Sequence, residues 1–425
     1  MPSILFVVFS ERFENTSLGY AEHYVSFPAG TDRIELDSWR PMARALTHVK
    51  SAPEIPLYSQ VFFDEHVKFQ YPPSSLLIVD LLRAFPGMSW MKIIDSLSYL
   101  SWLSVLIIGV LTACILRRSF LVVTAKEAFP SSKANTAALY YVVLLIALTF
   151  YPITRSFYLG QIQTLIALLA TVSLIAWQYE KKKLVGVLIG LICAFKPHWG
   201  LVILWGWMRK QWGMAIAGTV TVIVVGGISV SMYGINHHLD YMSVLSFLSK
   251  HGEAFFPNQS VNGLMNRLLF NGNNLNWSAT NFPPYNPVVY WTTLISTILI
   301  IAAALMWRFR DRGGAGPTEL AIIMLSVTIA SPIAWEHHYA ILLPILAVIV
   351  PIALSKRIFG RWTVAYLAAA FLLASQRIEI VNRLAETYFN FLQSYLFLAG
   401  IMVLVMLYAV SNRVAEEEEQ EEESR

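Results

Sequence analysis

The chain has 425 residues, of which 56% are hydrophobic and 14% charged, with a mean hydropathy of +0.54. Soluble domains carry about 25% charged residues, so these proportions exclude a soluble globular protein and indicate a polytopic membrane protein. The net charge of +4 hides an acidic tail, with seven glutamates between 416 and 423; the rest of the chain is basic in the manner of membrane edges, not of a nucleic-acid surface.

Met1–Phe9 is apolar, too short to span a bilayer, and lacks the basic flank of a signal peptide. Residues 1–26 therefore read as an N-terminal segment holding a truncated first span, or as a start displaced from the true one. Residues 27–96 read as an outer loop, polar around Asp32, Glu35, Asp37, Arg40 and Arg44 and aromatic-rich over Tyr58–Tyr71. Tyr71-Pro72-Pro73 leads into Ser74–Phe85, a short apolar run with Asp80 and Arg83. That run is expected to lie along the membrane interface, with a short re-entrant segment as the alternative.

Residues 97–411 read as a transmembrane bundle. Its apolar runs are Leu97–Leu116, Ala137–Tyr151, Thr164–Trp177, the pair Leu184–Phe195 and Trp199–Met208, Met214–Met232, Val288–Trp307, Leu320–Ile333, Tyr339–Leu354, Val364–Leu373 and Leu392–Val410. A span needs about 20 residues, and several runs are shorter. The expected fold is all-α: a polytopic transmembrane helical bundle of about eleven to twelve spans, with a long outer loop over 233–287. Residues 412–425 are expected to form a disordered, solvated cytoplasmic tail.

Short basic connections at Arg117-Arg118, Lys181–Lys183, Arg209-Lys210, Arg308/Arg310/Arg312 and Lys356-Arg357/Arg361 belong in the cytoplasm by the positive-inside rule. The alternate connections then face outward, and nearly every unusual polar residue falls in them. Cys114 and Cys193 lie in apolar runs and give no disulfide or metal signal.

Phe195-Lys196-Pro197-His198-Trp199 places a cation and a helix breaker between two runs that are each too short to span. Such a lysine is costly at membrane depth and marks a functional site, unless it snorkels to the surface at a helix end. Asp37 can serve as a general base, with Asp32 and Glu35 as rivals, or simply pair with Arg40. Gln161 can hydrogen-bond a hydroxyl-rich ligand or satisfy a helix start. Asn258-Gln259-Ser260 with Asn262, Asn266 and Arg267 suits sugar hydroxyls and a phosphate; the plainer reading is Ser260 capping a helix over 261–269. Asn15, Asn258 and Asn276 also begin weak glycosylation sequons. Ser331-Pro332…Trp335-Glu336-His337-His338-Tyr339 is the densest cluster. Its histidines can meet a phosphate or relay a proton, though neighbours about 100° apart on a helix seldom share a metal. The plainer reading is an interfacial aromatic belt. No Walker-type phosphate loop, dinucleotide fingerprint or zinc-protease motif occurs. That argues for a lipid-linked donor, with no cofactor and no metal.

Tyr71-Pro72-Pro73, Gly160-Gln161, Phe195-Lys196-Pro197, Asn258-Gln259-Ser260 with Arg267, and Ser331-Pro332…Trp335-Glu336-His337-His338 together resemble glycosyltransferase family 87. That family includes polyprenol-phosphate-mannose-dependent α-(1→2)-mannosyltransferases of the type C membrane class. The resemblance covers roughly Asp37 to His338. It implies a type C bundle with interfacial helices in the first outer loop and a catalytic aspartate, best matched by Asp37. It implies donor-phosphate contacts at Lys196, Arg267 and one or both of His337 and His338. Sugar and acceptor contacts fall at Tyr71, Gln161, Asn258, Gln259, Ser260 and Trp335. The expected activity is inverting transfer of a hexose, with mannose taken from the family, from a polyprenyl-phosphate donor to a lipid or glycan acceptor. It would occur at the outer face of the plasma membrane. The rival readings are a transporter or lipid flippase, against which the polar residues gather at one face without a clear internal repeat, and a catalytically inactive membrane scaffold.

Overall fold

The structure is a computed structural model describing Tyr24, Phe27 and residues 36–123, 132–308 and 315–423. Asp32, Glu35, Arg310, Arg312, the Asn15 sequon and the Met1–Phe9 run lie outside the described residues. Among the described residues the regular structure is helical, without a named strand; one isolated antiparallel bridge joins Asn258 to Trp335. It is an all-α polytopic membrane protein.

The segment before the bundle opens with α1 (Trp39–Ser51). Trp39, Met42, Ala45, Leu46 and Val49 recur at helical spacing and are buried, while Arg40, Arg44, Thr47 and Lys50 face outward. One apolar stripe with a basic opposite face is the pattern of a helix lying against a surface rather than crossing it. A short turn over Pro73–Leu76 continues into α2 (Leu77–Arg83), which is where the sequence places an interfacial run.

The bundle follows: α3 (Trp90–Val123), α4 (Lys133–Thr149), α5 (Tyr151–Tyr158), α6 (Gln163–Gln178), α7 (Lys182–Cys193), α8 (Gly200–Met208), α9 (Trp212–Tyr233), α10 (Ile235–His251), α11 (Val261–Leu268), α12 (Pro287–Met306), α13 (Pro317–Ile329), α14 (Leu342–Lys356), α15 (Thr363–Ser375) and α16 (Tyr395–Glu423). Every apolar run read as a crossing is helical. By length and composition, however, five stretches among the described residues can cross alone, and α4 with α5 makes a sixth if the pair, bent by 56°, is one span. The others are shorter because the sequence interrupts them: Pro152 opens α5, and Lys196-Pro197 separates α7 from α8.

Every residue of α13 after Pro317 is buried, and the crossing segment ending in α14 is 72% buried, against 22% for α9 and for α12. Helices that are apolar all round suit the centre of a bundle, and α9 and α12 turn most of their apolar surface outward, as lipid-facing helices do. Helix α7 packs directly on α9. A Cβ on Gly186 would come within 2.2 Å of the Met214 carbonyl, so this close approach requires glycine.

Where the sequence suggests a disordered tail from 412, α16 continues to Glu423. Glutamate is a good helix former. Arg413 pairs with Glu416 at 3.2 Å, and Lys356 pairs with Glu417, offsetting charge repulsion in that turn.

Candidate active site

Two connections between helices meet where α1 begins. Helix α5 ends at Gly160, whose φ of +59° is the left-handed conformation that ends helices and that glycine adopts without strain. The Gly160 and Gln161 amides close the turn on the Phe157 and Ser156 carbonyls, at 2.9 and 3.0 Å. This turn then accepts the start of α1: Asp37 N donates to Leu159 O at 3.0 Å and Ser38 N to Gly160 O at 3.4 Å.

That docking brings Gln161 to Asp37. Gln161 Nε2 donates to Asp37 Oδ2 at 3.1 Å. Its Oε1 accepts from Ser38 Oγ at 3.0 Å and Tyr71 OH at 3.3 Å. Hydroxyl donors on the oxygen fix which way the amide lies. Ser38 Oγ also lies 3.0 Å from Tyr71 OH and accepts from Ile162 N at 3.0 Å. Burial pushes the Tyr71 hydroxyl up to about 12, and the Asp37 charge adds to the rise, so Tyr71 remains a hydrogen-bond donor at neutral pH. Asp37 is exposed while its partners are half-buried or buried. The arrangement is a carboxylate at the surface, oriented from behind by groups that cannot take its proton.

Tyr71 is fixed in turn. Tyr58 OH donates to Tyr71 O at 2.5 Å, and Tyr58 packs on Phe69 and Tyr241. Asp240 on α10 receives Tyr58 N at 2.6 Å and Ser59 N at 3.2 Å. Two residues beyond Pro72, Ser74 Oγ donates to Ala194 O at 2.7 Å, which ties the Tyr-Pro-Pro segment to the break between α7 and α8.

Lys196 stands in that break. It is 8% exposed and has no ion-pair partner among the described residues. It lies within electrostatic reach of both His337 and His338, whose rings are 4.9 Å apart at 86° to one another. Arg155 reaches His337, and His198 reaches His338. Sequence reading passed over Arg155 and gave His198 no role of its own. No three His, Cys, Asp or Glu side chains are grouped for a metal among the described residues. A buried lysine beside two histidines, without a carboxylate, suits an incoming anion. Glu336, next in the chain, is engaged elsewhere: Tyr151 OH donates to it at 2.6 Å and Tyr395 OH at 3.4 Å.

The Asn258-Gln259-Ser260 segment is different. Ser260 Oγ accepts from Gly263 N at 3.1 Å and caps α11. Asn258 Oδ1 takes Ala334 N at 3.0 Å, and its amide nitrogen donates to Glu253 O at 2.8 Å. Gln259 Oε1 accepts from Leu396 N and Phe397 N at 3.1 and 3.0 Å, while Nε2 donates to Phe256 O and Gln393 O, both at 2.7 Å. Arg267 is 1% exposed; NH1 points to Asn258 O at 3.1 Å and NH2 donates to Ser394 Oγ at 2.6 Å. Apart from Arg267 Nε, which has no hydrogen-bond partner, these side chains are consumed inside the protein, and the capping reading of Ser260 describes their geometry. They pin the turn against the chain before the histidines: Gln259 N donates to Ala334 O at 2.7 Å and Glu336 N to Pro257 O at 3.0 Å. Trp335 is half-buried there, edge-on to Phe255 at 6.4 Å. The structure thus gathers Asp37, Tyr71 and Gln161 in one network and Lys196, His337 and His338 in another. It uses Asn258, Gln259, Ser260 and Arg267 as the brace behind the second.

The model of glycosyltransferase family 87 matches residues 69–332. The polyprenol-phosphate-mannose-dependent alpha-(1-2)-phosphatidylinositol mannoside mannosyltransferase of Mycobacterium tuberculosis is 22% identical over 333 residues, covering 75% of this chain and 70% of that one. The alpha-(1->3)-arabinofuranosyltransferase of Corynebacterium glutamicum is 22% identical over 344 residues, covering 78% of this chain and 72% of that one. No solved structure matches the chain. The family match takes in more than half of the sequence and runs from the Tyr71 segment through the Lys196 break to Pro332: this chain belongs to glycosyltransferase family 87 and is a membrane glycosyltransferase.

Proposed function

We propose that the enzyme moves a mannosyl group from a polyprenyl-phosphate donor to a hydroxyl of a lipid or glycan acceptor, at the outer face of the plasma membrane and with inversion. The observation that carries this reading is the hold of Gln161 on Asp37 Oδ2, backed by Ser38 and Tyr71. Asp37 takes the acceptor hydroxyl proton as that oxygen attacks the anomeric carbon. The bond from the anomeric carbon to the phosphate oxygen breaks, and the polyprenyl phosphate leaves with the electron pair. Lys196, His337 and His338 meet the negative charge that develops on it. Gln161 and Tyr71 keep the carboxylate in line, and Trp335 borders the sugar. Asn258, Gln259, Ser260 and Arg267 act by positioning the chain that carries the histidines.

A pentofuranose donor is the second reading, because one relative at 22% identity is named an arabinofuranosyltransferase. The test is transfer by the full chain in nanodiscs from labelled polyprenyl-phosphate-mannose and polyprenyl-phosphate-arabinose, with native lipids and glycans as acceptors. Mannose transfer supports the proposal, and arabinose transfer alone moves it to the pentose. Absence of transfer and of binding for both donors would return the transporter reading.

A further inference from the structure

A cavity of about 320 Å³ is lined by Arg267, whose guanidinium also meets the Asn258 carbonyl. Its size falls at the lower end of the range for small-ligand pockets, about 300–1,000 Å³. One wall is the loop Phe270–Asn276 and the other is Ala385-Glu386. The walls are fastened together: Asn274 Nδ2 donates to Ala385 O at 2.9 Å and to Gln393 Oε1 at 3.2 Å. Arg267 also lines it, buried, with an Nε that has no hydrogen-bond partner.

The remaining polar capacity has a definite character. Asn273 spends its Oδ1 on the Leu275 and Asn276 amides, at 2.9 and 2.8 Å, which leaves its amide nitrogen. The side chains of Asn276 and Glu386 are exposed, and neither makes a hydrogen bond or ion pair among the described residues. Phe270, 49% exposed, stands at the rim with its ring against Tyr388 at 5.9 Å. Amides donate and accept, a carboxylate accepts from two neighbouring hydroxyls at once, and an aromatic ring covers the C–H face of a sugar. The one exposed charge is negative and the one cation is buried, so the cleft disfavours a phosphate or an acidic group.

We propose that this cleft binds a neutral oligosaccharide, as the part of a glycan acceptor that lies beyond the reacting hydroxyl. The inference rests on the glycosyl-transfer reading for that acceptor role, though the cleft's chemistry stands apart from it. Arg267 links the two regions, since the guanidinium that lines the cleft also braces the Asn258 turn.

The experiment titrates the full chain in nanodiscs with mannotriose, arabinotriose and, separately, inorganic phosphate. Saturation-transfer NMR and calorimetry read binding, with labelled polyprenyl-phosphate-mannose binding measured in parallel. Asn276→Ala and Glu386→Gln alter exposed side chains, so the melting temperature should hold. The expected result is saturable oligosaccharide binding that each substitution weakens by about tenfold, the scale of one or two lost hydrogen bonds, with donor affinity unchanged. Equal affinity in wild type and variants, no oligosaccharide binding, or displacement by phosphate would each overturn the proposal. Binding at the cleft without any sugar transfer would uphold the site and reject the transferase role assigned to its ligand. Transfer to short acceptors with an empty cleft would do the reverse.

Discussion

The Asp37–Gln161 network and the Asn258–Ser260 turn are built from the same kinds of residue, yet they do opposite work. Both are loop segments rich in amides and hydroxyls. In the turn every principal group finds a protein partner, and Asn258, Gln259 and Ser260 are each 0% exposed. In the Asp37 network the buried members face inward, and the carboxylate they hold is at the surface. Residue type alone does not reveal which of two such networks stays internal and which holds an exposed carboxylate.

Substitutions can break or sharpen this contrast. Asp37→Asn should lower turnover by about 10²–10⁴-fold, the scale of general-base catalysis, without moving the melting temperature. A large loss of stability instead would place Asp37 with the turn. Gln259→Ala should do the opposite. It strands two buried amide donors, Leu396 N and Phe397 N, at about 1–3 kcal/mol each, read as a lower melting temperature in detergent; an unchanged temperature would mean the turn is not a brace. Gln161→Glu sets a second carboxylate beside Asp37. Like charges favour the protonated form, and the base must be deprotonated, so the acid limb of the pH–rate profile should move to higher pH with donor KM little changed. A loss in KM alone would assign Gln161 to the donor instead. Gly263→Ala would bring a Cβ to 2.2 Å from the Asn258 carbonyl; overpacking of this kind costs about 1–3 kcal/mol, measurable as a melting shift. Ser260→Ala should cost about 0.5–2 kcal/mol, the worth of a helix N-cap, and spare catalysis.

The helices were legible because apolar runs and their interruptions are local properties. The run read over Met214–Met232 is a helix over Trp212–Tyr233, and Lys196-Pro197 separates two helices as its breaker suggests. The run expected over Ser74–Phe85 is a short turn and α2, Leu77–Arg83. The tail was not legible, because seven glutamates read as self-repelling until the Lys356–Glu417 contact is seen. Within the site, types and order were readable and partners were not. Gln161 lies 124 positions from Asp37, and Arg267 lies 127 from Ser394. Nothing local tells that the first pair serves an exposed carboxylate and the second an internal brace. Ser38 sits beside Asp37 in the chain, but its bond to Gln161 depends on how α1 docks on the α5 turn.

In the proposed mechanism Asp37 handles the proton, and Lys196 with the histidines handles the phosphate. The most direct test measures donor affinity and transfer rate together for Asp37→Asn, using labelled polyprenyl-phosphate-mannose and the full chain in nanodiscs. The predicted result is wild-type donor affinity with transfer lost. Wild-type transfer in the variant, or loss of donor binding with the fold intact, would contradict the assignment of Asp37 as the base.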